Sequence, residues 1–262
     1  MVDAYNQLHR ARFGFGGGEH PIAFNFFRSL RALTQQFSPD IVYFVLEGVP
    51  RNNKLALPEY KGNRTASPDN FQRERAQIVD AIKDLPIVIV RHPDFECDDV
   101  LYSVARRWHQ NDEVVVLSTD SDFIQMHADL PNLTLWHTVN KEKVEPPDYD
   151  YALWKSLAGD KTDNVPKLLS VKAAERLVKD EAAFAEKMLD EEFAALQQRN
   201  YSVIKFELLN DEQMEALEIH RGVANFDQLR ERFRSYAFKS IAEGPAWDKF
   251  VKTFEKLTVD LV

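Results

Sequence analysis

The chain has 262 residues, 44% hydrophobic and 29% charged, with a formal net charge of −9, which suits a globular protein large enough to bury a real core. No run of 18 apolar residues occurs, so a membrane-spanning helix is excluded. The opening MVDAYNQLHRARF lacks an apolar signal core, and the single cysteine, Cys97, excludes an internal disulfide; both fit a cytoplasmic protein.

In chain order, MV before Asp3 is the stub of a strand, and PIAFNFFRSLRALTQQF (21–37) has the spacing of a helix. IVYFVLE (41–47) is a nearly continuous apolar, β-branched run, as are PIVIVR (86–91) and EVVVLST (113–119). Such runs mark strands buried on both faces, as in parallel sheets. Helices are expected over 70–85 and 98–110, and LTLWH (133–137) is a further strand candidate. The alternation implies an α/β fold with a central, mostly parallel sheet flanked by helices. Residues 50–69, PRNNKLALPEYKGNRTASPD, form a polar, basic connection too long to be an ordinary turn. From about 148 onward the pattern reads mostly as helix, which divides the chain into an α/β core (1–147) and a helical extension (148–262). FGFGGG (13–18) lacks the remainder of a phosphate-loop motif and suits a turn before a helix.

Open α/β sheets bind ligands beyond the carboxyl ends of their strands, and acids gather there. Asp3 follows the first stub and Glu47 ends the second strand. Glu96, Asp98 and Asp99 follow the third, and Asp120 and Asp122 follow the fourth. Asp160 and Asp163 lie in AGDKTDNVP, a loop between helices. Any one of them alone is more often a helix cap. Their recurrence at four strand ends would be strongly repulsive unless cations offset it, and carboxylates are ligands for hard divalent ions such as Mg²⁺ or Mn²⁺. Nine acids exceed the need of one ion, so two are expected, an arrangement suited to in-line displacement at phosphorus. Setting these nine aside from the 42 acids leaves 33, equal to the 33 bases. The chain outside the site is therefore balanced and need not repel a polyanion. Lys61 and Arg64 of EYKGNR, with Arg10 and Arg12 after Asp3, supply cations for phosphate.

The ordered set VDAYNQLHR, PEYKGNR, ECDD, STDSDF and GDKTDNVP resembles the 5′-nuclease (flap endonuclease) superfamily, nearest to phage 5′→3′ exonucleases and the 5′-nuclease domain of bacterial DNA polymerase I. The motifs span residues 3 to about 175, in family order. The resemblance implies a PIN-like nuclease core with a helical arch over about 50–80 and a helix–hairpin–helix-like element over about 158–180. It implies a monomeric, Mg²⁺-dependent 5′→3′ exonuclease or flap endonuclease of DNA replication and repair. Such an enzyme cuts 5′ flaps or 5′ ends near duplex junctions, leaves 5′-phosphates and in some members removes RNA primers from DNA. Asp3, Glu47, Glu96 and Asp98 would surround one ion. Asp120, Asp122 and Asp163 would hold the other, with Asp99 and Asp160 assisting. Lys61 and Arg64 would neutralise the scissile phosphate from the arch, Tyr60 would stack near a frayed end, and Arg10 would steer the terminal nucleotides. Lys167, Lys172 and Arg176 would contact duplex phosphates. The family hairpin also binds K⁺ through close backbone approach, but Lys167, Ser170 and Lys172 replace its usual glycines, which weakens the case for K⁺ here. Glu47 departs from the usual Asp. Two rival readings are a PIN-like ribonuclease, whose chains are shorter and lack the arch and extension, and a non-cleaving junction-binding protein, which should have lost acids that are all present here.

Overall fold

The structure, a computed structural model, describes residues 1–14, 18–63 and 67–260. The apolar runs become strands and the amphipathic stretches helices, in the order β1 (Val2–Asp3), α1 (Ala4–Ala11), α2 (Pro21–Phe37), β2 (Tyr43–Leu46), α3 (Arg51–Ala56), α4 (Asp69–Ile82), β3 (Val88–Arg91), α5 (Cys97–Trp108) and β4 (Val114–Ser118). A 3₁₀ helix (Ser121–Ala128) follows, then β5 (Leu133–His137), β6 (Glu142–Val144), α6 (Tyr151–Ala158), α7 (Val171–Val178), α8 (Glu181–Lys187) and α9 (Glu191–Ile204). The chain ends with α10 (Asp211–Glu215), β7 (Glu218–Arg221), α11 (Phe226–Ser235), α12 (Lys239–Ala242) and α13 (Gly244–Phe254).

The strands make one sheet in the order β6-β5-β4-β1-β2-β3-β7. β1 to β5 are mutually parallel, and β6 and β7 border them antiparallel. β1 is only two residues long, yet Val2 pairs with both Phe44 and Leu117. That places Asp3 at the carboxyl end of the sheet's central strand.

Period-two alternation divides the core between the two faces. Phe44 faces a layer in which Leu8, Phe26, Phe27, Phe71 and Ile78 meet Phe233, Phe250 and Phe254 of the C-terminal helices. Val45 and Val90 face the other layer, with Val100, Val104, Phe123 and Met126. Each fully buried Phe contributes about 1.5–3 kcal/mol of apolar transfer, so both layers hold the strand ends rigidly. α9 is tied to the α6–α7 connection by Asn200, whose Nδ2 donates to the carbonyls of Ser156 (2.9 Å) and Pro166 (2.8 Å).

The tail from Asp211 onward, read as helix, contains β7, which pairs residue for residue with β3 from Val88↔Arg221 to Arg91↔Glu218. All four residues of β7 are exposed. An edge strand held by its backbone, with polar side chains on both faces, carries no hydrophobic period to read. Among the described residues no helix is long and apolar enough to cross a membrane.

Candidate metal centre and active site

Each acid arrives at the carboxyl edge through local backbone chemistry. Asp3 ends β1 and caps α1, its Oδ1 accepting from the N–H of Asn6 (3.1 Å) while Oδ2 accepts from Ser118 Oγ (2.8 Å). Glu47 follows β2 and accepts from the N–H of Cys97 (3.1 Å), satisfying a donor at the start of α5. Glu96 is the residue before α5, and Asp98 and Asp99 lie in its first turn. Asp120 caps the 3₁₀ helix by accepting from the N–H of Asp122 (2.9 Å). Asp160 turns the loop after α6, accepting from the N–H groups of Thr162 (2.6 Å) and Asp163 (3.3 Å).

Two groups of donor atoms converge. Glu47, Cys97 and Asp98 bring one ligand atom each within 4.8 Å of one another, and so do Asp122, Asp160 and Asp163. Asp98, Glu96, Asp122, Asp160 and Asp163 line a single cleft, so both groups open into one space. Burial and mutual repulsion act on the carboxyls. Burial pushes Asp3 up to about 6, and Glu47 and Asp122 up to about 7. Asp98 is also raised well above its ordinary value, by burial first and then by Glu96 and Glu47, against the pull of Lys61. Six carboxylates line this cleft, Asp99 included; gathered so closely they bind a proton or a cation favourably, and divalent ions with oxygen preference match the donor set. The Cys97 thiol is raised well above its usual value by burial and by Asp3 and Glu47, and it lies 3.3 Å from the carbonyl of Val45. It is a neutral thiol packed behind the acids, not a hard-ion ligand.

Two lysines supply positive charge. Lys61 pairs with Glu96 and sits 3.9 Å from Asp163. Its backbone is left-handed (φ 55°), and its N–H donates to the carbonyl of Asp163 (3.1 Å), so the basic connection is docked on the acidic loop. Lys155, on α6, pairs with Asp122 and lies 2.6 Å from Asp160. Burial tends to raise Asp160, but Lys155 and the Thr162 N–H hold it below its ordinary value. Lys155 was not singled out in the sequence. Its signal is a lone cation inside the apolar run LWKSLAG (153–159), five residues before Asp160.

Several expected roles change. Tyr60, expected to stack on a frayed base, is 5% exposed and packs with Leu57, Val165 and Ile204. Its hydroxyl donates to Glu96 Oε2 (2.7 Å), since a buried phenol needs an acceptor. Here it orients a carboxylate. Asn53, also missed, donates to the same oxygen (3.0 Å). Asp99 accepts from the backbone N–H of Glu207 (2.8 Å) and so anchors the chain after α9. Burial lifts it to about 7. Arg10 lies apart from the acids, in the last turn of α1, where it donates to Thr138 Oγ1 and lines a cavity with Gln7, Asn25 and Arg28. Lys167, Lys172 and Arg176 are exposed on the loop before α7 and on α7 itself. Arg64 lies outside the described residues.

The family described as 5′-3′ exonuclease, N-terminal resolvase-like domain, matches residues 1–151. Thermostable DNA polymerase I of Thermus thermophilus is 30% identical over 200 residues, covering 69% of this chain and 24% of the polymerase. The 5′-3′ exonuclease of Buchnera aphidicola is 29% identical over 124 residues, covering 44% of this chain and 42% of that one. This chain therefore spans less than half the length of these relatives. Among solved structures, the bacteriophage T5 flap endonuclease, in complex with DNA and metal ions, superposes with a TM-score of 0.63 at 17% identity, covering 93% of this chain and 98% of that one.

Proposed function

We propose that this chain, which belongs to the 5′-3′ exonuclease family, is a structure-selective 5′-nuclease that hydrolyses DNA phosphodiesters at 5′ flaps and 5′ ends, using two Mg²⁺ ions for which Mn²⁺ substitutes. The observation that carries the reading is the pair of donor groups, Glu47 with Asp98 and Asp122 with Asp160 and Asp163, of which Asp98, Asp122, Asp160 and Asp163 line one cleft with Glu96, the partner of Lys61. A relative named as a 5′-3′ exonuclease and a fold neighbour solved with DNA and metal ions support it.

Asp3, Glu47, Glu96 and Asp98 would hold one ion. Asp122, Asp160 and Asp163 would hold the second, with Asp120 at the rim. When bound, the ions supply Lewis-acid stabilisation of the charge that accumulates during in-line displacement at phosphorus. The chain's own groups do the rest. Tyr60 and Asn53 fix the Glu96 carboxylate in one orientation through its Oε2. Lys61 exchanges its contact with Glu96 for the scissile phosphate, where its ammonium offsets developing negative charge. Lys155 stays behind Asp122 and Asp160, holding Asp160 below its ordinary value and offsetting part of the burial that raises Asp122. The core (1–147) supplies most of the acids and Lys61, and the extension (148–262) adds Lys155, Asp160 and Asp163 to the site and offers Lys167, Lys172 and Arg176 to duplex phosphates. Hydrolysis on this pattern leaves a 5′-phosphate.

The test is product mapping from labelled 5′-flap, nicked and single-stranded DNA, and from an RNA-primed duplex, with and without Mg²⁺. Cleavage confined to the 5′ end or junction and abolished by chelator or by Asp122→Asn is expected. An intact flap under all metals, or full activity in Asp122→Asn, rejects the reading.

A further inference from the structure

Cations elsewhere on the molecule are unevenly used. Near the C terminus Arg230, Arg232 and Arg234 are all in ion pairs, with Asp80, Asp84, Glu231 and Glu243. On the neighbouring surface, where α2 lies beside α13, the pattern reverses. Arg28 and Arg31 of α2 face Lys249 of α13 across one groove. The groove continues to Lys252 and Lys256 beside Thr34 and Ser38. Among the described residues, none of these five cations has a carboxylate within the 4.0 Å of an ion pair. Arg31 reaches only the amide oxygen of Gln35, at 3.4 Å. Glu255 is the one acid lining this surface.

Successive residues of α2 meet successive residues of α13 in the same direction, so the helices run parallel and the groove follows α2 from Phe24 to Ser38. Fourteen steps of about 1.5 Å give a track of roughly 21 Å, close to six base-pair steps of about 3.4 Å. Lys249 and Lys252, spaced i, i+3, share one face of α13, and Lys256 follows just beyond the C-cap Glu255. The large apolar residues exposed among those described, such as Phe13, Leu55 and Val223, lie off this track. Phe24, half-buried at one end of the groove, has the Arg28 guanidinium 5.6 Å from its ring centroid, so the track presents charge rather than an open stacking face. On a chain of net charge −9, leaving five cations unpaired in a line costs self-repulsion that a row of phosphates relieves.

We propose that the α2–α13 groove is a second nucleic-acid contact, binding the phosphate backbone of a duplex arm away from the acidic cleft. It rests on the nuclease reading only in taking that arm to be part of a DNA junction. The test uses the whole chain in chelator, so that no cleavage occurs. Binding of a short blunt duplex is followed by fluorescence anisotropy between about 50 and 200 mM salt. The wild type is compared with the triple variant Lys249→Ser, Lys252→Ser, Lys256→Ser, whose substitutions are all exposed. Loss of three phosphate contacts lowers the slope of log K against log salt by about 2.7, with weaker binding at low salt. An unchanged slope and affinity overturns the proposal, as does equal loss of binding to an acidic peptide, which would mark a protein surface. Duplex binding that loses its slope in an enzyme that cuts no flap sustains this contact and removes the nuclease reading. Flap cleavage with an unchanged slope does the reverse.

Discussion

Replacing Lys155 by Met tests whether the lysines balance the acids when no divalent ion does. The side chain is 7% exposed, between Asp122 and Asp160, and Met keeps the volume of its stem. Removing the ammonium leaves two buried carboxylates facing each other. Breaking one partner of a buried ion pair costs about 3–5 kcal/mol. At about 2–4 °C per kcal/mol for a chain of this size, the melting temperature falls by roughly 6–20 °C in chelator. With saturating Mg²⁺ or Mn²⁺ the acids are neutralised by the ion, and the deficit shrinks to below about 1 kcal/mol. The same linkage tightens divalent binding, by roughly 100-fold for about 3 kcal/mol of relief. Scanning calorimetry with and without metal, and a calorimetric metal titration, read both effects. Equal destabilisation in chelator and in metal would refute the reasoning, because Lys155 would then only brace the fold.

In chelator, stability should rise as pH falls from about 8 towards 5. Asp3, Glu47, Asp99 and Asp122 are pushed up to about 6 or 7, so the folded state holds protons that the unfolded chain releases. Their contribution is full below the unfolded value near 3.8 and is lost as pH rises through 6 to 7. Asp3 alone, raised by about two units, accounts for roughly 3 kcal/mol. Asp160 is held low and titrates below this window. The Met1 ammonium, pushed down to about 5 by burial, and His92 and His127, also pushed down by burial, oppose the trend, so the measurement is the difference between urea-unfolding curves in chelator and in Mg²⁺. Coincident curves across this range count against the buried acids. Separately, Glu74, 1% exposed, accepts from the N–H groups of Ile22 (2.8 Å) and Ala23 (3.0 Å) and caps α2, whose own N-cap residue makes no side-chain bond. Glu74→Leu should cost about 3 kcal/mol in urea unfolding and Glu74→Gln about 1, and an undisturbed Glu74→Leu variant would contradict the cap.

The strand ends were legible because β2, β3 and β4 are buried on both faces, so their apolar runs stop where polar chemistry begins. Glu47, Asp98 and Asp120 could be placed at one edge from that stop alone. Even the two-residue β1 was legible, since Asp3 follows an apolar pair. Other features depend on contacts distant in sequence. Lys155 meets Asp122 across 33 residues, and Tyr60 meets Glu96 across 36. No local pattern distinguishes a tyrosine that stacks on a base from one that steers a carboxylate. β7 owes its conformation to β3, not to its own side chains. The partners of the cationic groove, α2 and α13, lie more than 200 residues apart in the sequence.

Anomalous diffraction from crystals grown with Mn²⁺ addresses the site itself. Two peaks are expected in the one cleft, the first among Asp3, Glu47, Glu96 and Asp98, the second among Asp122, Asp160 and Asp163, with Lys61 drawn away from Glu96. A single peak, or manganese bound only elsewhere on the surface, would contradict a paired-ion centre.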